Sequence, residues 1–263
     1  ITSTNLGAHS RNGGAVYAAA DLRALGRFSL SAGVRGQAHR GWRSNLSPTA
    51  AGGLWLSRRL RLRASASRAF RLPSFTDLYY HDPASRGSPD LAPETAWSYD
   101  VGADGYLGRN IRAEVTFFHR RESNGIDYVR GSTSEIWRAA NIQRLRFRGL
   151  EAALWSRAGA RHSWQVRYSH LSGSRAALGN LISRYVFNYP SHAGRAAWQT
   201  LLPGQVTARA TVGVVQRNQR RAYAVADLCL NRSAGRFRPF VEISNLSGSR
   251  YEEILGVPMP GRA

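Results

Sequence analysis

The sequence has no lysine, one cysteine and no long apolar run. Its 37 basic residues are all arginine, and against 16 acidic residues they give a formal net charge of +21. The single cysteine, Cys229, excludes a disulfide framework and any cysteine-based zinc module. No window approaches the roughly 18 consecutive apolar residues that a transmembrane helix needs. A membrane β-barrel stays possible at a mean hydropathy of −0.38, because its strands alternate apolar and polar residues.

The distribution of the arginines argues against nucleic-acid binding, which a pI of about 11.5 would otherwise suggest. The arginines recur singly along the chain, often at every second position, as in Arg144, Arg146 and Arg148. They form neither a basic tail nor a stripe along one helix. The absence of lysine is typical of a GC-rich genome. We therefore expect no nucleic-acid partner, and a basic soluble nucleic-acid-binding β protein is the second alternative.

Alternation with a period of two dominates the chain and predicts β-strands with one apolar and one polar face. It is clearest over residues 28–35, 60–67, 111–118 and 205–214. The predicted strands run for roughly 9–14 residues, which is longer than is usual in soluble sheets and long enough to cross a bilayer when tilted.

Short and long connections alternate between these strands. Short turns are predicted at 24–26, 57–59, 108–110, 158–160, 202–204 and 233–235. Longer polar loops are predicted at about 36–43, 71–92, 122–135, 171–183, 216–221 and 247–263. This is the layout of an outer-membrane barrel, with tight periplasmic turns and extended outside loops.

The strand count predicts an antiparallel up-and-down transmembrane β-barrel of which this chain is a part. We count about twelve strands, the last at about 236–246. Both edges of such a sheet would be bare in lipid, so we expect residues 1–263 to be one partial domain of a larger closed barrel. The chain opens without Met or a signal peptide, and we expect it to be a fragment of a longer protein.

Aromatic residues near the predicted strand ends suggest interfacial girdles, although some could be ordinary core residues. They are Trp42, Trp55, Trp97, Tyr99, Trp155, Trp164, Tyr168 and Trp198.

Three stretches resemble the TonB-dependent outer-membrane receptors. Residues 66–107 resemble the family's Arg–Pro strand end, Leu-Tyr pair and Gly-x-Pro-x-Leu-x-Pro-Glu segment, through Arg71, Pro73, Leu78, Tyr79, Gly87, Pro89, Leu91, Pro93 and Glu94. Residues 139–155 resemble its Asn…Gly-x-Glu strand, through Asn141, Gly149, Leu150 and Glu151. Residues 241–262 resemble the segment before the last strand, through Asn245, Leu246, Tyr251, Gly256, Pro258, Pro260, Gly261 and Arg262.

The order and spacing of these motifs are most similar to the vitamin B12 and catecholate-siderophore receptors. The resemblance implies a barrel of about 22 strands around an N-terminal plug, with about nine strands before this chain. It also implies active uptake of a large scarce solute, such as a ferric siderophore or cobalamin, in partnership with the TonB complex. The TonB box, the plug and the final strand are not among these residues.

Two groups in the predicted outside loops are candidates for ligand binding. Arginine and aromatic side chains suit anionic, aromatic ligands such as ferric catecholates. The candidates are Tyr79, Tyr80, His81, Asp82, Arg86, Trp137 and Arg138. A solvated loop that faces lipopolysaccharide phosphates is the competing interpretation. His81 and Asp82 are adjacent and not at metal-ligand spacing, so we predict no metal site and no cofactor.

Acidic residues on the strands are expected to face the lumen. Glu94 and Glu151 could pair there with inward arginines such as Arg112 or Arg148. Most strand arginines should also face inward, because an arginine on the lipid face costs roughly 2–4 kcal/mol at mid-membrane.

Signatures of catalysis are lacking: there is no nucleophile elbow and no His-Glu-x-x-His motif. We therefore predict a transporter of the Gram-negative outer membrane rather than an enzyme, in contact with lipopolysaccharide and outer-membrane lipid. The alternative within the same fold class is a passive porin or an adhesin.

Overall fold

The computed structural model describes residues 2–24, 26–142, 144–174, 178–254 and 257–263, and most of them lie in β-strands. The long strands are β3 (Gly13–Ala24), β4 (Phe28–His39), β5 (Asn45–Ser57), β6 (Leu60–Arg71), β8 (Glu94–Leu107), β9 (Ile111–Ser123), β12 (Leu145–Ala158), β13 (His162–Gly173), β15 (Pro190–Leu202), β16 (Val206–Arg217) and β17 (Tyr223–Arg232). The shorter elements are β1 (Thr2–Ser3), β2 (Gly7–Ala8), α1 (Phe75–Tyr79), β7 (Ser85–Arg86), β10 (Gly125–Arg130), β11 (Trp137–Ile142), β14 (Ile182–Ser183), a 3₁₀ turn (Pro203–Gln205), β18 (Phe240–Ile243), β19 (Glu252–Ile254) and β20 (Val257–Pro258). No helix among the described residues is long and apolar enough to span a membrane.

Twelve strands of the described residues form one antiparallel sheet in up-and-down order, as predicted. The order from one edge to the other is β3, β4, β5, β6, β8, β9, β12, β13, β15, β16, β17 and β18. Each strand pairs with the one that follows it in the sheet, and the inserted short strands lie within the connections. β3 and β18 are the two edges, so the sheet does not close on itself within the described residues.

Five of the six predicted short turns lie at one end of the sheet, which we call the turn end, and the sixth, at 24–26, includes residue 25, which lies outside the described residues. Glycines in the left-handed region occupy several of them, including Gly108 (φ 67°) and Gly159 (φ 66°). Only a residue without Cβ adopts this conformation at little cost. The long connections meet at the opposite end, which we call the loop end.

The last predicted strand, at 236–246, is wrong in its length. The regular ladder of β18 covers only Phe240–Ile243, which pairs with Leu228–Asn231. Pro239 carries no amide hydrogen to donate before the strand, and Asn245 after it has a φ of 48°. Both features stop regular pairing.

One face of the sheet, the inner face, lines a cavity of about 920 Å³. Strands as distant as β6 and β17 contribute to it, so the sheet curves around this space. Arg63 on this face donates from Nε to Asp104 Oδ1 at 3.1 Å and from Nη2 to Thr116 Oγ1 at 2.6 Å. Most sheet arginines lie on this face, as expected, because they alternate in step with the cavity-lining residues. They are Arg23, Arg35, Arg61, Arg63, Arg71, Arg112, Arg120, Arg157, Arg167, Arg195, Arg209 and Arg217.

The opposite face, the outer face, is apolar and exposed along the middle of the strands. Val101 and Phe117 keep 62% and 60% of their surface exposed. A curved sheet with a polar inside and an apolar outside is the pattern of a barrel wall in lipid.

Glu151 lines the inner cavity as predicted, but its suggested pairing with Arg148 is wrong. The two residues are three positions apart on β12, and an odd separation places side chains on opposite faces of a strand. Arg112 forms its ion pair with Glu114 instead.

The girdle prediction holds for part of the aromatic set. Trp97, Tyr99, Trp164, Tyr168 and Trp198 share the outer face with the apolar residues. Trp55 and Trp155 lie on the inner face, where arginine guanidinium groups contact their rings. Trp42 lies in a connection and packs on a small core at the loop end.

Candidate functional site

The connections at the loop end assemble into one structure, which we call the loop cluster. It consists of residues 75–93, the hairpin β10–β11 over residues 125–142 and the connection 178–189. The sequence predicted only a loop at 122–135, whereas most of that range lies in the hairpin.

The hairpin separates two small apolar cores. Residues of one face, Ile126, Tyr128 and Ala139, pack with Leu78 and Leu91. Residues of the other face pack with the connection 178–189, in a core of Val129, Ile142, Leu145, Leu178 and Phe187. Alternation along β10 therefore supplies both neighbours of the hairpin with an apolar surface.

Asn141 connects the hairpin to the segment that precedes β8. Its Oδ1 accepts from the Ala92 amide at 2.8 Å, and its Nδ2 donates to the Ala92 and Asn124 carbonyls at 3.0 and 2.8 Å. This motif residue thereby satisfies backbone groups that no ladder pairs.

Glu94 connects three elements at the loop end of the sheet. One carboxylate oxygen accepts from the Ile126 amide at 2.5 Å, and the other pairs with Arg71. Arg71 also contacts Asp77, which with Ser74 forms the capping box of α1. The residues of the first motif thus fix the start of the loop cluster on the sheet.

Gly87 and the prolines of the first motif also have structural positions. A Cβ on Gly87 would lie 2.8 Å from the Asp77 carbonyl oxygen. The buried Pro73 accepts from Arg11 at its carbonyl. Pro89 is exposed, and the Pro93 carbonyl accepts from Asn124 at 3.4 Å. Pro73 and Pro93 thus lie just outside the ends of β6 and β8, where regular strand pairing stops.

Asp127 is buried at 2% exposure and holds the connection 178–189 against the hairpin. Its carboxylate accepts from the Ser183 hydroxyl and from the amides of Tyr128, Tyr185 and Val186, the last two at 3.1 and 3.0 Å. Burial raises the pKa of Asp127, while the bonds from Ser183 and the amides oppose that rise.

Replacing Asp127 by alanine is expected to release the connection 178–189. The amides of Tyr185 and Val186 would lose their acceptor, at about 2 kcal/mol, which corresponds to about 30-fold faster local exchange. Hydrogen–deuterium exchange of the full-length protein measures this. The exposed Asp90→Ala variant is the matched control, and equal exchange in the two variants would contradict the role of Asp127.

Tyr80 and Asp82 shape a turn rather than a free surface. The Tyr80 hydroxyl donates to Asp82 Oδ2 at 2.9 Å, and the Ala84 and Ser85 amides donate to Asp82 Oδ1. Desolvation alone would raise the pKa of Asp82, but these bonds together hold it below its ordinary value. The carboxylate therefore stays ionised and holds the turn.

Two guanidinium groups lie close to the ring of Trp137. The Cζ atoms of Arg130 and Arg184 are 4.2 and 5.6 Å from its ring centroid, and Arg184 is also 5.2 Å from the ring of Tyr185. The side chain of Arg184 donates to Ser85 at 3.2 Å. Tyr185 is 55% exposed. These four residues form what we call the basic aromatic face.

Two further arginines lie at the same edge of the hairpin but on its opposite face, because successive residues of a strand point to opposite faces. β7 pairs with β11 in parallel, which puts Arg86 next to Arg138, and both side chains are exposed. Like charges at paired positions are destabilising. An anion bound between them would relieve that repulsion.

The predicted ligand residues are therefore brought together only in part. Trp137, Arg138 and Arg86 lie at one edge of the hairpin, with Arg138 and Arg86 on the face opposite to Trp137. Tyr79 lies apart and stacks on His9 at 3.8 Å between ring centroids. His81 forms an isolated bridge with Arg86. Sequence reasoning missed Arg130, Arg184 and Tyr185.

Tyr128 lies next to the basic aromatic face. Its hydroxyl donates to the Thr76 carbonyl at 3.0 Å. Burial, together with the nearby Asp77, raises the pKa of Tyr128 to about 12. The hydroxyl therefore keeps its proton at neutral pH and remains a donor.

Apart from Asn141, the residues of the second and third motifs lie outside the loop cluster. Gly149 is packed against β13, where a Cβ would lie 2.1 Å from the His170 carbonyl oxygen. Asn245 is buried and bonds to Ser249 and to the Pro260 carbonyl. Leu246 donates its amide to Ala226 at 2.7 Å. Tyr251 stacks on Tyr223, and Pro258 lies in β20. Gly261 lies in an exposed segment, and Gly256 lies outside the described residues.

Comparisons with known proteins agree on one family. A family model described as "TonB dependent receptor-like, beta-barrel" matches residues 2–251. The vitamin B12 transporter BtuB of Vibrio vulnificus (strain YJ016) is 31% identical over 88 residues, which are 34% of this chain and 14% of BtuB.

Solved structures share the fold. A variant of the ferric enterobactin receptor PfeA of Pseudomonas aeruginosa, in complex with enterobactin, superposes with a TM-score of 0.78 at 18% identity, over 96% of this chain and 44% of that one. The copper transporter OprC superposes with a TM-score of 0.78 at 16% identity, over 96% of this chain and 46% of that one. The chain thus spans less than half the length of these relatives.

Proposed function

Because this chain belongs to the TonB-dependent receptor family as a part of its β-barrel, we propose that the full-length protein imports a large anionic metal chelate across the outer membrane of a Gram-negative bacterium. The chelate class is a ferric siderophore with catecholate groups. Binding takes place at the basic aromatic face, and import follows rearrangement of a plug that the TonB complex drives.

The two faces of the sheet support the membrane location. An exposed apolar outer face suits lipid, and charged groups such as Arg63 and Asp104 are kept on the inner face. The open edges β3 and β18 need partners in lipid, because unpaired backbone groups are costly there. Further strands of the same barrel would pair with them, and a plug would fill the polar inner cavity.

The basic aromatic face is the single observation that favours this ligand class. Ferric catecholates combine aromatic rings with several negative charges. Arg130 and Arg184 supply charge beside the rings of Trp137 and Tyr185. Arg86 and Arg138 add positive charge at the same edge of the hairpin, on its opposite face. Guanidinium groups bind both anionic oxygens and aromatic faces.

Cobalamin is the second candidate ligand. The sequence identity with BtuB over 88 residues favours it. The concentration of arginine at the loop cluster favours an anionic chelate over this largely uncharged ligand.

Binding by the purified full-length receptor distinguishes the two candidates. We expect quenching of tryptophan fluorescence by a ferric tris-catecholate at sub-micromolar concentration and no saturable response to cyanocobalamin. Binding of cyanocobalamin alone would overturn the siderophore assignment.

A growth assay tests the transport step. With the chelate as the only iron source, growth is expected to require both the receptor gene and a functional TonB protein. Growth that persists without TonB would instead support a passive porin. We propose no catalytic role.

A further inference from the structure

The outer face carries a group of arginines at the loop end, opposite to the inner face that holds most of the others. We call Arg121, Arg146 and Arg148 the outer basic patch. Arg121 lies on β9, and the other two lie on β12. The sequence prediction of inward-facing arginines does not hold for these three.

The strand register places the patch residues side by side. Arg146 pairs with Arg121, and Arg148 pairs with His119 on the same two strands. Trp97 is the next neighbour of Arg121 on β8, and Arg68 is the neighbour of Trp97 on β6. Four adjacent strands thus present one row of Arg68, Trp97, Arg121 and Arg146.

The patch lacks anionic partners of its own. Arg121 donates to the His119 ring at 3.1 Å, and Arg68 donates to Asn45 and to the Leu46 carbonyl. Among the described residues, no carboxylate pairs with Arg121, Arg146 or Arg148. All three side chains are exposed, so like charges face each other on paired strands, which is destabilising without a counter-charge.

The depth of the patch corresponds to a membrane interface. One step toward the turn end, Tyr99 stacks on Trp97 with ring centroids 6.1 Å apart. The next rows are apolar, with the exposed Phe117 opposite Leu150 and then Val115 opposite Ala152. Aromatic residues mark the headgroup level, so the arginines lie at or just outside it.

The patch is local rather than a ring around the barrel wall. On β4 the outer-face residues toward the loop end are Val34, Gly36 and Ala38, and on β16 they are Val214 and Gln216. A general preference for charge at the interface would distribute arginines over all strands. Their concentration on β9 and β12 indicates a site.

We infer that the outer basic patch binds the phosphate groups of lipid A, the membrane anchor of lipopolysaccharide in the outer leaflet. Arginine pairs with phosphate through two parallel hydrogen bonds. Three uncompensated guanidinium groups beside an apolar, aromatic surface match a phosphorylated sugar headgroup with acyl chains below it. This inference rests on the proposed outer-membrane location, and it concerns a site separate from the basic aromatic face.

The test uses the full-length receptor in lipid nanodiscs of phosphatidylethanolamine with one-tenth bis-phosphorylated lipid A. Native mass spectrometry after mild detergent extraction counts retained lipid A. We expect at least about tenfold less retention by the triple variant Arg121→Gln, Arg146→Gln, Arg148→Gln than by the wild type. The matched control removes three charges at the turn end, by Arg58→Gln, Arg59→Gln and Arg109→Gln, and should retain lipid A like the wild type.

Two further measurements show whether retention depends on the phosphate groups and on the positive charge of the patch. Dephosphorylated lipid A is expected to be retained as poorly by the wild type as lipid A is by the triple variant. The triple variant Arg121→Lys, Arg146→Lys, Arg148→Lys keeps the positive charges and should restore most of the retention. That result would show that the Gln variant loses lipid A through loss of charge and not through misfolding. Equal retention by the wild type and the Gln variant, or of the phosphorylated and dephosphorylated lipids, would overturn the inference.

Chelate binding is measured in the same preparations. Loss of lipid A retention with normal chelate binding supports a separate lipid site. Failure of chelate binding in the wild type, with lipid A retained through the patch, would overturn the proposed substrate and leave the lipid site standing.

Discussion

Replacing Arg130 and Arg184 together by glutamine is expected to weaken binding of a ferric tris-catecholate by about a hundredfold or more. Each guanidinium group that contacts an anionic ligand contributes about 1.5–3 kcal/mol as a charge-assisted hydrogen bond. Both groups lie close to the Trp137 ring, so their loss also removes the positive charge beside the aromatic surface. Fluorescence titration of the full-length receptor gives the dissociation constants.

The control for this experiment is a pair of inner-face arginines far from the loop cluster, Arg23 and Arg209, replaced by glutamine. This variant loses the same charge and should bind the chelate with unchanged affinity. If both double variants lose affinity equally, the effect is one of total charge and the basic aromatic face is not the binding site.

The largest effect on folding is expected for Gly149→Ala. The added Cβ would lie 2.1 Å from the His170 carbonyl oxygen and 2.4 Å from Phe118 Cζ. The carbonyl belongs to the neighbouring strand β13, so relief requires separation of the β12–β13 ladder. We expect a loss of about 3 kcal/mol or more in the free energy of unfolding.

Urea unfolding of the full-length receptor in detergent, followed by tryptophan fluorescence, measures this loss. Heat modifiability on gels reports whether the barrel forms at all. Gly213→Ala is the matched control. Gly213 also lies on the inner face, but the nearest atom to a Cβ there is 3.9 Å away, so the added methyl group fits. A Gly149→Ala variant as stable as this control would show that the strands adjust at low cost.

The sheet could be predicted from the sequence because its signals are local. Alternation over 60–67 or 111–118 specifies a strand and its two faces, and glycine at positions such as Gly108 specifies the turns. The same rule could have prevented two errors. Trp55 follows the outer-face residue Leu54 and must lie on the inner face, and Arg148 cannot share a face with Glu151.

The loop cluster was harder to predict because its contacts join distant segments. The alternation of Ile126, Asp127 and Tyr128 is a strand signal, but the expected rhythm of long and short connections suggested a plain loop there. Arg184 reaches Trp137 only through the tie between Asp127 and the connection 178–189. No local pattern in the sequence marks that approach.

The Asp127 tie has a consequence for how binding specificity can change. The connection 178–189 and the hairpin share one buried carboxylate and one apolar core. Replacing either segment alone would therefore remove the carboxylate contacts and the core packing on which the other depends. Grafting of recognition loops between relatives should therefore succeed when the two segments are exchanged together and fail when they are exchanged singly. The hairpin and the connection 178–189 are therefore expected to vary together among relatives, because neither keeps its structure without the other.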